Sequence, residues 1–174
     1  MWDMLSRLHG LARAAAVTAA IAFSAAASGL EPVSLPPAEA VVAFVVNNDS
    51  KQQPVTVPEL EALGLYRVTT KSPWEEGDLT FEGVLFSDVV AYLGLGDAAS
   101  VRIRALDDYA QEIPREDWVD KPLLLATRQD GEPLTRRTQG PSRLVYPIAE
   151  YPDYQPTVHD DRWVWLIKSI EQAD

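Results

Sequence analysis

Short β-branched runs, each closed by a turn signal, recur along this chain and set its fold class. Val101-Arg102-Ile103-Arg104-Ala105-Leu106 alternates apolar and basic residues, the period of a half-buried strand. Val41–Val46 and Leu123–Thr127 are continuous apolar runs of the kind that form buried strands, and Leu65–Lys71, Leu79–Glu82 and Arg143–Tyr146 add others. Asn47-Asn48-Asp49, Gly83, Asp130-Gly131 and Pro147 mark where runs stop. Asp107-Asp108-Tyr109 turns the chain so that Ala110–Ile113 can pair back. Helical signals are few. Thr56 and Glu59 have capping-box spacing, Pro58 suits a first turn, and Gly64 ends a short helix over Pro58–Leu63. Ser87 is positioned to cap a second helix in which Val89, Val90 and Leu93 share a face, with Gly94 as its stop. Pro114–Trp118 starts one helical turn with acids at its positive end. No repeat interrupts the pattern. It predicts an α+β fold, a strand-rich mixed sheet with a few short helices, rather than a wound parallel sheet.

The 174 residues suffice for one domain. Arg7 and Arg13 precede an alanine-rich run, Ala14–Gly29, whose apolar part falls short of the roughly 20 residues that span a bilayer. Ala25-Ala26-Ala27 fits a cleavage site, so residues 1–27 read as a signal peptide, 28–40 as a proline-rich extended leader, and 41–174 as a single domain. The expected location is periplasmic or secreted, with no membrane span after cleavage. A formal charge of −11 argues against nucleic acid as a partner. The absence of cysteine excludes disulfides, iron–sulfur clusters, thiolate metal sites and cysteine nucleophiles.

Candidate chemistry is sparse. A hydrolytic triad would need His159, Asp160 or Asp161, and Ser142, but Gly140-Pro141-Ser142-Arg143 is not a nucleophile elbow, and His159 reads as a surface-loop histidine. The pairs Asp107-Asp108, Glu116-Asp117 and Asp160-Asp161 match no calcium loop and read as solvated acids. The tryptophans read as packing, with Trp163 and Trp165 on one face of a closing strand, Trp163–Ile170. One asymmetry stands out. Arg128, Arg136, Arg137 and Arg143 face only Asp130 and Glu132 within their segment, which suggests either an anion site or local pairing with acids. No catalytic or metal-ligating residue is assigned.

The order Phe81-x-Gly83-Val84-Leu85-x-x-Asp88-Val89-Val90, then Ala105-Leu106-Asp107-Asp108-Tyr109 with Ile113-Pro114, resembles the molybdopterin-binding domain of the sulfite-oxidase type. Leu123–Ala126, Asp130-Gly131-Glu132-Pro133-Leu134, Gly140-Pro141-x-Arg143-Leu144-Val145-Tyr146-Pro147 and a closing Trp165 to Ile170-Glu171 continue the resemblance. It implies a pocket for a pterin dithiolene cofactor, molybdenum-bearing in catalytic members. Asp107 and Tyr109 would match the family's turn at that cofactor, and Arg143 its phosphate-binding arginine, with Arg136 and Gly140 beside it. The departures are chemical. Where the family carries a cysteine ligand, this chain reads Arg67-Val68-Thr69-Thr70-Lys71-Ser72, the family's histidine is replaced around Gln139, and Trp165 stands where a late lysine is expected. Hydroxyls are poor donors to a soft metal site. The reading that follows is an exported, non-catalytic binding or sensory accessory retaining an anion pocket, with an anionic small molecule or a protein as partner and no cofactor required. The alternative is a molybdopterin-dependent oxidoreductase with a non-cysteine metal site.

Overall fold

The computed structural model describes residues 30–48, 51–119, 121–148, 154 and 159–173; the signal-peptide expectation over residues 1–27 lies outside them. Two sheets carry the described chain. In the first, β1 (Glu31–Val33), β4 (Leu65–Lys71), β5 (Asp78–Leu85), β8 (Leu124–Gln129) and β10 (Arg143–Val145) lie side by side in that order, all antiparallel, and β9 (Glu132–Pro133) pairs with β8. In the second the order is β3 (Lys51–Thr56), β2 (Val42–Asn48), β11 (Ile167–Gln172), β6 (Ser100–Ala105) and β7 (Ala110–Pro114). Only β11 and β2 run parallel there, so the strand-rich α+β expectation holds. Helices α1 (Val57–Glu61), α2 (Phe86–Tyr92) and α3 (Glu116–Val119) are short.

The alternation in β6 does what its period dictates, since Val101, Ile103 and Ala105 are buried and Arg102 and Arg104 are not. Both sheets and all three helices feed one apolar cluster that includes Phe44, Leu60, Phe81, Val89, Ile103, Trp118, Leu124 and Ile170. The capping box forms as its spacing requires: Glu59 accepts from the Thr56 amide at 2.7 Å and from its hydroxyl at 2.6 Å. Asp130 and Gly131 both take positive φ, the geometry of a tight hairpin, between β8 and β9.

Several local expectations are corrected. Gly83 does not close β5 but lies within it, because a Cβ there would sit 2.2 Å from the Leu125 carbonyl oxygen of β8. The N-cap of α2 is Leu85 rather than Ser87, and no side chain caps it. Strand β3 was not legible, since Pro54 interrupts it; as an edge strand it tolerates the missing N–H. Part of the leader is β1, paired with β4, and Leu30 is buried. The closing strand begins only at Ile167, because Leu166 adopts a left-handed φ of 52°. Among the described residues no helix is long and apolar enough to cross a membrane.

Candidate functional site

A seam joins the two sheets. Trp165 bridges to Arg143 of β10, the Leu144 amide donates to the Val164 carbonyl at 2.8 Å, and the Leu106 amide donates to the Leu166 carbonyl at 3.0 Å. A cleft of ≈ 250 Å³ opens at this seam, lined by Trp74, Ala105, Asp107, Tyr109, Asp160, Asp161, Trp163 and Trp165. Each wall has a separate structural cause. Trp74 comes from the β4–β5 loop, and its ring stands edge-on to Trp163 (6.2 Å, 74°) and Trp165 (4.9 Å, 89°). Asp107 and Tyr109 come from the β6–β7 turn, where Asp108 has a φ of 67° and the Tyr109 amide donates to Asp107 Oδ1 at 3.1 Å. The Tyr109 hydroxyl donates to the Asp161 carbonyl at 2.7 Å and accepts from Gln111 Nε2 at 2.8 Å, so this turn is tied to the 160–162 turn.

The 160–162 turn is anchored from below. Asp117 of α3 is buried, and its Oδ2 accepts from Arg162 Nη1 at 2.7 Å and from the Tyr146 hydroxyl at 3.0 Å. His159 Nε2 lies 3.7 Å from Asp117 Oδ1, and its ring packs on Tyr146 and Tyr154. The surface-loop reading of His159 is therefore corrected: the residue is 6% exposed and part of a buried polar network. Ser142 is buried too, and its hydroxyl donates to the Ala43 carbonyl at 3.3 Å, so its proton is directed to the backbone and not to a histidine. Burial, with the charge of Asp117 behind it, raises the Tyr146 hydroxyl well above its ordinary range, so it stays a donor. At the cleft, slight burial first and the neighbouring Asp161 charge second raise the Asp160 carboxyl, while His159 acts in the opposite direction.

The four arginines grouped by sequence occupy different environments. Arg128 is buried and gives Nε and Nη2 to Glu61, each at 2.8 Å, and Nη2 also to the Pro36 carbonyl at 2.6 Å. This arginine pairs locally and staples the leader to β8 and α1. Arg136 and Arg137 are exposed on a 3₁₀ turn. Gly140 follows that turn and packs against Leu134 so closely that a Cβ would lie 2.4 Å from the Leu134 Cβ. Arg143 is buried on β10, between the rings of Phe81 (4.9 Å) and Trp163 (5.9 Å), with Glu75 Oε2 3.6 Å from its Nη2. Burial lowers its pKa, and Glu75 opposes the shift. Its Nε and Nη2, and Glu75 Oε2, have no hydrogen-bond partner among the described residues. Thus Asp107 and Tyr109 share the cleft, Arg143 lies behind its Trp163 wall, and Arg136 and Gly140 do not line it.

Sequence reasoning missed Trp74, Trp163 and Trp165 as site residues and took Asp160 and Asp161 for a solvated pair. Five tryptophans in 174 residues, with Trp74 next to Glu75 and the Trp163-x-Trp165 pair just after Asp160-Asp161, was the signal available.

The cleft does not fit the pterin dithiolene group implied by the resemblance. That group is anionic, whereas Asp107, Asp160 and Asp161 line the cleft and, among the described residues, no lysine or arginine does. Thr70 and Ser72, where the metal's thiolate would be carried, are buried hydroxyls, and Thr70 Oγ1 donates to the Tyr146 carbonyl at 3.4 Å. No curated protein matches the chain. The family model described as the oxidoreductase molybdopterin binding domain matches residues 38–151, a span that holds β2 to β10, the Trp74 loop and the Asp107–Tyr109 turn. With most of its fold inside that match, the chain belongs to the oxidoreductase molybdopterin binding domain family.

Proposed function

We propose that this family member is an exported, non-catalytic binding accessory that keeps an anion-accepting position at Arg143. The observation that carries the loss of catalysis is the complete absence of cysteine. No rearrangement of the β4–β5 region can then supply the soft thiolate that the family's metal centre uses. The support for an anion position is the guanidinium of Arg143, buried with two nitrogens unbonded and one carboxylate 3.6 Å away. A buried donor without an acceptor costs about 1–3 kcal/mol, and an incoming phosphate or carboxylate could satisfy this one by a bidentate pair. Glu75 is the competitor for that position. Export rests on Arg7, Arg13, the alanine-rich run and Ala25-Ala26-Ala27, and predicts a mature N-terminus close to Ser28.

The test is metal analysis of protein made in a host with an intact molybdopterin pathway, next to a cysteine-containing relative. Background molybdenum in this protein alone supports the reading; near-stoichiometric molybdenum with oxidase or reductase turnover overturns it. For the anion position, Glu75→Gln removes the competing carboxylate and should increase thermal stabilisation by phosphate, whereas Arg143→Lys should abolish it. Equal stabilisation of all three proteins overturns the role of Arg143.

A further inference from the structure

The cleft follows a charge logic opposite to that of Arg143. We propose that the pocket of Trp74, Trp163, Trp165, Asp107, Asp160 and Asp161 binds an organic cation, a quaternary or protonated alkylamine. The proposal rests on the reading that no pterin fills this cleft, but not on anion binding at Arg143. Trp74 stands at 74° to Trp163 and 89° to Trp165, so indole surfaces meet nearly at right angles and give a small ligand more than one aromatic wall. Indole faces are electron-rich, and a soft, weakly hydrated ammonium is the group they attract most. Among the described residues no lysine or arginine lies within salt-bridge distance of Asp107, Asp160 or Asp161. The nearby cations face other carboxylates: Lys168 lies 2.9 Å from Asp108, Arg162 2.7 Å from Asp117, and Arg143, without a hydrogen bond, 3.6 Å from Glu75.

A metal ion is the poorer match. Among the described residues no three acidic or histidine groups converge closely enough to hold one, so the carboxylates ring the cleft instead of forming a coordination shell. Trp163 adds a second feature. It is 2% exposed, and its buried Nε1 has no hydrogen-bond partner among the described residues, so this wall of the cleft holds an unsatisfied donor. The chain's charge of −11 would also steer a cation toward the protein.

The experiment uses the full mature chain without metal and follows tryptophan fluorescence and melting temperature. Choline chloride is the probe, 3,3-dimethylbutanol its neutral isostere, and sodium chloride the ionic control. Choline should give a saturable response at least about tenfold tighter than the isostere, as expected for a partly desolvated cation–π site. Trp74→Ala and Asp161→Asn, both at surface positions, should each weaken choline several-fold and leave the melting temperature of the free protein nearly unchanged. A choline response no tighter than that of the isostere, none beyond that of salt, or one unaffected by both substitutions overturns the proposal. Stoichiometric molybdenum in protein from the native host would overturn the proposed function instead, and the choline titration of metal-free protein would still decide the cleft.

Discussion

Glu61 gives the clearest quantitative test of how the fold is held. Its side chain is 8% exposed, that of Arg128 is 4% exposed, and the pair makes two hydrogen bonds of 2.8 Å. Glu61 Oε1 also accepts from the Thr127 hydroxyl at 2.8 Å. Glu61→Ala strands a buried guanidinium whose remaining acceptor is the Pro36 carbonyl, a change that costs about 3–5 kcal/mol. At roughly 4 °C per kcal/mol for a domain of this size, the melting midpoint should fall by about 12–20 °C. Glu61→Leu combined with Arg128→Met removes both charges and keeps the volume, so its stability should return to within about 1 kcal/mol of the starting protein. Urea denaturation of the single and double variants forms the cycle. A Glu61→Ala loss below about 1 kcal/mol, or a double variant as unstable as the sum of its singles, would refute the argument that desolvation of Arg128 dominates.

Three further outcomes follow from the geometry. Gly83→Ala should cost more than about 3 kcal/mol or abolish folding, read from denaturation midpoints, because the new Cβ meets the Leu125 carbonyl at 2.2 Å and neither strand can retreat cheaply. Hydrogen bonds from the Thr56 hydroxyl and amide lower the Glu59 pKa, so its contribution is present above the unfolded value of 4.5 and is lost as pH falls through the lower folded value. Glu59→Gln should therefore reduce the thermal midpoint at pH 7 and leave it unchanged at a pH below both values. Arg162→Gln removes the arginine from buried Asp117, leaving it His159 and the Tyr146 hydroxyl, and should cost about 3 kcal/mol, while Tyr146→Phe, which leaves the arginine in place, should cost about 1 kcal/mol; equal losses in urea titrations would count against a charge-based anchor.

What could be read from the residues was whatever depends on near neighbours. The β6 alternation, the Thr56–Glu59 box and the Asp130-Gly131 turn are each complete within a few residues, and all are present in the fold. Gly83 was misread for the opposite reason. A glycine in a strand-like run signals either a stop or a close approach, and the deciding atom, the Leu125 carbonyl, lies 42 positions along the chain. His159 failed similarly, because its burial depends on Asp117, Tyr146 and Tyr154, none of them adjacent to it in sequence. Leu166 shows a limit of another kind: nothing about a leucine announces a φ of 52°.

Charge was the least legible property of all, since proximity in sequence says little about electrostatic neighbourhood once strands pair. Arg128 and Arg143 lie on adjacent strands, yet one meets Glu61 of α1 and the other meets Glu75 of the β4–β5 loop. The acids that look dispersed, Asp107 and the Asp160–Asp161 pair, are brought to one cleft because Tyr109 reaches the Asp161 carbonyl and Arg162 is held by Asp117. The cleft therefore has an acidic rim with a buried arginine behind one indole wall. An anion approaching that arginine from the cleft would meet three carboxylates first, whereas a cation would meet indole faces and carboxylates together. If the two positions serve one ligand, it must carry both charges, its positive end in the cleft and its negative end replacing Glu75. Choline should then respond to Asp161→Asn but not to Glu75→Gln, and phosphate should show the reverse dependence.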